Sequence, residues 1–131
     1  MHPSPGTTTT APAARGNVGI VGLGAMGRGI AASLRRAGYA VHVCDVRPGA
    51  AAEFVRGGGT PWGSPAEVAA AAPMVISVVV NATQTEQVLF GPEGCAESMA
   101  KGSVFVMCST VDPAFSVALE QRLGERGILY L

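Results

Sequence analysis

The sequence has 131 residues and only one lysine, Lys101. That lysine precedes Gly102-Ser103 and does not follow a glycine loop, which excludes a Walker-type phosphate loop. There are two histidines, His2 and His42, and neither has neighbours at the spacing of a metal-ligand set, so a structural zinc site is not expected. The three cysteines, Cys44, Cys95 and Cys108, form no C-x-x-C pair and no even framework. Without an apolar secretory segment at the start, they read as reduced thiols of a cytoplasmic protein. No charge of either sign is in excess: nine Lys+Arg balance nine Asp+Glu, which argues against a nucleic-acid footprint. Long apolar runs are missing too, although 48% of the residues are hydrophobic. The longest, Met74 to Val80, is seven residues interrupted by Ser77, whereas a membrane-spanning helix needs about 20. Its length suits a strand buried on both faces.

What is present is an alternation of strand-like and helix-like segments. Met1 to Arg15, rich in Pro, Thr and Ala, reads as a disordered tail, and residues 16–131 as one domain. Val18 to Gly22 reads as a first strand and Met26 to Ala37 as a helix, with Ile30, Ala31, Leu34 and Ala37 on one face before Gly38. Ala40 to Asp45 is a second strand. Pro48 to Arg56 is a helix with proline in its first turn, closed by Gly57-Gly58-Gly59. Thr60 to Trp62 is a short third strand, and Ser64-Pro65 caps a helix running through Ala71. The buried strand Met74 to Val80 follows, then short helical pieces around Thr85 to Phe90 and Cys95 to Ala100. Val104 to Cys108 is a fifth strand. Asp112-Pro113 opens a helix with Phe115, Leu119 and Leu123 in register, which Gly127 closes before a last strand from Ile128 to Leu131. Apolar strands alternating with helices predict an α/β fold, a doubly wound parallel sheet covered on both faces.

Between the first strand and the first helix lies Gly22-Leu23-Gly24-Ala25-Met26-Gly27, a G-x-G-x-x-G. Its context makes it specific: it follows a strand, opens a helix, and Asp45 ends the next strand 18 positions after Gly27. Gly22 permits the tight turn, Gly24 admits a pyrophosphate to the backbone, and Gly27 lets helix and sheet approach. Free amides at the helix start attract the diphosphate. Asp45 would accept hydrogen bonds from the ribose hydroxyls and repel a 2′-phosphate, so NAD is expected over NADP. Two alternatives stand beside this reading. Asp45 could be a capping residue before Arg47-Pro48, and Arg47 could pair with a 2′-phosphate or lie over the adenine. A short-chain dehydrogenase is excluded, because Tyr39 has Val43 where a lysine is needed and Tyr130 lies at the chain end.

Gly22 to Gly29 (GLGAMGRG), Gly38-Tyr39-Ala40-Val41 and Asp45 together resemble the β-hydroxyacid dehydrogenase family, the 3-hydroxyisobutyrate dehydrogenases and their relatives. Val78-Val79-Val80-Asn81, Gln84-Thr85-Glu86, Val88-Leu89-Phe90-Gly91 and Met107 to Pro113 (MCSTVDP) look most like the L-threonate dehydrogenase branch. The resemblance spans Asn17 to Leu131. It implies that Gly22, Leu23, Gly24, Ala25, Met26 and Gly27 hold the pyrophosphate side of NAD and that Asp45 holds the adenosine ribose; Met26 faces the cofactor in the family, although a methionine at a helix start also reads as core packing. It further implies that Val80 and Asn81 line the adenine side and the nicotinamide ribose, that Thr85 makes a further cofactor contact, and that Ser109-Thr110 lies near the nicotinamide. Thr110 also reads as a turn or capping hydroxyl before Asp112-Pro113. Family members continue into a Ser-Gly-Gly loop and a helical domain bearing a catalytic lysine. Neither is in this sequence, and Lys101 stands at the start of the fifth strand, at the sheet end away from the cofactor. The resemblance therefore implies the cofactor half of a dehydrogenase of small hydroxy acids, with no catalytic residue of its own. The other expectation is a non-catalytic NAD(H)-binding module that self-associates through exposed apolar surface.

Overall fold

The computed structural model describes residues 15–131, so most of the expected tail lies outside the described residues. The strands are β1 (Asn17–Val21), β2 (Ala40–Cys44), β3 (Thr60–Pro61), β4 (Met74–Ser77), β5 (Val104–Met107) and β6 (Leu129–Tyr130). The helices are α1 (Ala25–Arg36), α2 (Ala50–Phe54), α3 (Pro65–Ala71), α4 (Ala82–Phe90) and α5 (Pro113–Gly124), with 3-10 turns at Val55–Gly57 and Ala96–Ser98. All strand pairs are parallel, in the order β3-β2-β1-β4-β5-β6. This order reverses between β1 and β4, and a doubly wound sheet opens its ligand crevice at the carboxyl ends of those strands. The expected fold class is the observed one.

Alternate strand residues feed two cores. Val18, Ile20, Leu23, Ala31, Val41, Val43 and Ile76 pack on the α1 and α2 side. Val21, Val68, Val75, Leu89, Phe105, Leu119 and Leu123 pack on the α3, α4 and α5 side. Close approach of α3 to β1 depends on Gly19, where a Cβ would stand 2.3 Å from Val68 Cγ1. Among the described residues no helix is long and apolar enough to cross a membrane.

The local start signals act as read. Ser64 caps α3 by accepting from the Glu67 N–H at 3.2 Å, and Asp112 caps α5 by accepting from the Ala114 N–H at 2.7 Å. Helix α4 starts at Ala82, three residues before Thr85, because Asn81 caps it, and two further boundaries need correction. Helix α2 begins at Ala50 and not at Pro48, because Gly49 takes the left-handed conformation (φ +82°) and serves as its N-cap. Strand β4 stops at Ser77, three residues short of Val80. The Val78 N–H still bonds to the Val21 carbonyl at 2.8 Å, but the neighbouring chain turns out of the sheet at Gly22 and leaves nothing further to pair with.

Candidate dinucleotide-binding site

The three motif glycines have three different surroundings. Gly22 adopts φ +104°, and a Cβ there would lie 2.3 Å from the Val78 carbonyl oxygen. At Gly27 a Cβ would lie 1.9 Å from the Gly22 carbonyl oxygen, so the helix start rests directly on the turn. Gly24 has nothing within 4 Å of where its Cβ would be, and its φ is an ordinary −67°. Two of these glycines are required by the protein's own backbone. The third clears a space in front of it.

That space lies at the mouth of α1. Gly24 is the N-cap and contributes no side-chain hydrogen bond, and the first turn carries no acidic residue. The Gly24 carbonyl takes the first helical bond, from the Arg28 N–H at 2.9 Å. The amides of Ala25, Met26 and Gly27 come before that bond and carry the positive end of the helix dipole. A twelve-residue helix with an uncapped, cation-like mouth behind a glycine clearing fits a diphosphate.

Asp45 stands one residue beyond β2, beside this mouth. Its Oδ2 accepts from the Leu23 N–H at 2.5 Å, tying the carboxylate to the motif loop. Its Oδ1 accepts from the Arg47 N–H at 2.7 Å and from Arg47 Nε at 3.0 Å, and Arg47 Nη2 reaches Oδ2 at 3.2 Å. Burial by itself would raise the Asp45 pKa. The hydrogen bonds from Arg47 and Leu23 and the Arg47 charge outweigh it and hold the carboxyl below its usual range. Asp45 is therefore an anion at neutral pH, as a diol acceptor must be. Beside it, the buried thiol of Cys44 is pushed up to about 12 by desolvation and is no nucleophile.

On the other flank, Val80 is 77% exposed between β4 and α4, and Asn81 caps α4 by accepting from the Gln84 N–H at 2.9 Å. Met26, at the start of α1, is 60% exposed. Thr110 is exposed beyond β5, and the Ser109 hydroxyl donates to the Val79 carbonyl, joining the ends of β4 and β5. The structure thus brings Gly22 to Gly27, Asp45, Val80, Asn81 and Thr110 to the carboxyl edge of the sheet. Thr85 is the expected contact that it does not bring there. The register of α4 turns this side chain inward, fully buried, where its hydroxyl donates to the Asn81 carbonyl at 3.0 Å. Leu23 likewise serves through its backbone alone, since its side chain is in the core. Sequence reasoning left the place of Arg47 open: its guanidinium covers Asp45 and donates to the Leu23 carbonyl at 2.7 Å.

Comparison with known proteins agrees with this geometry. Residues 17–131 match the family model of the NAD binding domain of 6-phosphogluconate dehydrogenase. The L-threonate dehydrogenase of Cupriavidus necator is 50% identical over 115 residues, which are 88% of this chain and 39% of that protein. Human mitochondrial 3-hydroxyisobutyrate dehydrogenase is 33% identical over 114 residues, 87% of this chain and 34% of that one. The crystal structure of a 3-hydroxyisobutyrate dehydrogenase from Salmonella typhimurium superposes with a TM-score of 0.82 at 36% identity, covering 87% of this chain and 40% of the other. The chain spans about two fifths of the length of these relatives. The parallel sheet, the glycine turn at its switch point and the carboxylate after β2 accord with that match, and the chain belongs to the family of the NAD binding domain of 6-phosphogluconate dehydrogenase.

Proposed function

We propose that the chain binds NAD in preference to NADP and forms the cofactor half of a cytoplasmic 3-hydroxyacid dehydrogenase acting on L-threonate or a related sugar acid. One observation carries the cofactor choice: an ionised carboxylate, Asp45, is fixed to the motif loop beside the uncapped mouth of α1. The amides of Ala25, Met26 and Gly27 would hold the diphosphate, and Asp45 would take the adenosine ribose hydroxyls and repel a 2′-phosphate. Met26 and Val80 offer apolar surface to the rings, and Asn81 and Thr110 offer polar groups toward the nicotinamide end. A bound nicotinamide supplies hydride transfer. The chain's own residues position it, and none is assigned to proton transfer. Asp45→Asn should weaken NAD about tenfold and narrow the gap to NADP, by the loss of a charged acceptor. Steady oxidation of L-threonate by residues 1–131 with NAD would contradict the assignment to the cofactor half.

A second reading, a non-catalytic NAD(H)-binding module that self-associates, is favoured by the edge strand β6. Leu129 is 61% exposed there and pairs with Val104 of β5. A dimer on size-exclusion chromatography that responds to NAD would favour this reading. A monomer in both conditions would remove it.

A further inference from the structure

The carboxylate that the cofactor reading needs is not open. Its two oxygens accept four hydrogen bonds, two from the Arg47 guanidinium and one each from the Arg47 and Leu23 backbone N–H groups, and the Asp45 side chain is only 6% exposed. A carboxylate has about four lone-pair sites, so no acceptor capacity is left for a sugar diol. The group that blocks it is placed to leave. The Arg47 side chain is 59% exposed and follows Val46, which is 99% exposed, in a loop that ends at left-handed Gly49. Arg47 also borders a cavity of about 310 Å³ shared with Leu23, Arg28, Ala50, Glu53 and Phe54, and the Glu53 charge acts on its guanidinium.

We propose that Arg47 is a latch on the cofactor site: its guanidinium occupies the diol acceptor of Asp45 and swings toward Glu53 when a ribose takes its place. The inference rests on the NAD-binding reading above. It makes Arg47 a positioning residue that sets the fraction of molecules competent to bind, and apparent affinity falls in proportion to that fraction. The Leu23 N–H stays on Asp45 Oδ2, so the carboxylate keeps its orientation while the guanidinium moves.

The test uses the full chain and NAD. Arg47→Met keeps the aliphatic stem and removes the guanidinium. The latch predicts about two- to fivefold tighter NAD binding by calorimetry, the scale of an exposed ion pair. The gain should lie in the association rate, with dissociation unchanged. Unchanged NAD affinity would overturn the latch and make Arg47 a bystander. Weaker NAD binding would overturn it by making Arg47 a cofactor ligand, and weaker NADP binding with NAD unchanged would overturn it in favour of a 2′-phosphate site. If neither wild type nor variant binds either dinucleotide, the cofactor reading itself fails, which is a different result from any of these. Arg47 touches no core residue's side chain by hydrogen bond, and a thermal melt of the variant checks that the fold is retained.

Discussion

Replacing the motif glycines one at a time by alanine should separate what they do for the fold from what they do for the ligand. At Gly27 the new Cβ would lie 1.9 Å from the Gly22 carbonyl oxygen, where ordinary contact begins at 3.4 Å. The start of α1 would therefore have to lift by 3.4 − 1.9 = 1.5 Å from a turn that cannot retreat, since Gly22 is itself pressed against Val78. Leu23 and Ala31, both fully buried, would lose their packing. Overpacking of this kind costs about 3 kcal/mol, which lowers the melting temperature by about 9–15 °C in a domain of this size. At Gly24 nothing stands within 4 Å and φ is −67°, so the only structural cost is a poorer N-cap, about 0.5–1 kcal/mol. The same methyl would stand where the diphosphate approaches, and NAD affinity should fall by about tenfold or more. Thermal unfolding and NAD calorimetry on both variants read the two effects separately. Equal destabilisation of Gly24→Ala and Gly27→Ala would refute the reasoning, as would wild-type NAD affinity in Gly24→Ala.

Three further predictions concern the fold around the site. His42 accepts at Nδ1 from Trp62 Nε1–H (3.0 Å), so its proton sits on Nε2 and donates to Asn17 Oδ1 (2.9 Å); burial lowers its pKa, because the fold favours the neutral ring. The His42 contribution is complete above the unfolded value of about 6.5 and is lost as pH falls below it, at no more than about 1.4 kcal/mol per pH unit. Urea unfolding should show this slope between pH 7 and 5 and a smaller one in His42→Gln, whereas identical slopes would contradict the assignment. Ser77 is fully buried and its hydroxyl has no hydrogen-bond partner among the described residues, so Ser77→Ala should be neutral or up to about 1 kcal/mol stabilising; a clear loss of stability would show that the hydroxyl is used. Ser64→Ala removes the cap of α3 and should cost about 1 kcal/mol in the same assay, with no change at all counting against the cap.

The parts of this protein that were legible in its sequence are those decided by neighbours in the chain. Ser64-Pro65 and Asp112-Pro113 announce their helices because cap and first turn lie within three residues of each other. The glycine motif was readable for the same reason, and Asp45 because a strand and a helix of ordinary length fix its distance from Gly27. What escaped was decided by contacts far apart in the chain. The end of β4 is set by where β1 departs at Gly22, which no property of Val78 to Val80 reveals. Thr85 has the right hydroxyl for a cofactor contact, but the register of α4 on the sheet turns it into the core. The position of Arg47 two residues after Asp45 puts it near the adenosine end. Which acceptor it takes depends on the Leu23 carbonyl, 24 residues away.

The central claim is that Asp45, beside the mouth of α1, selects a ribose with a free 2′-hydroxyl. Calorimetric titration of the chain with NAD and NADP under identical conditions tests it most directly. The account predicts that NAD binds and that NADP is at least about tenfold weaker, the effect of setting a phosphate against a fixed carboxylate. Equal affinities, or tighter binding of NADP, would contradict it.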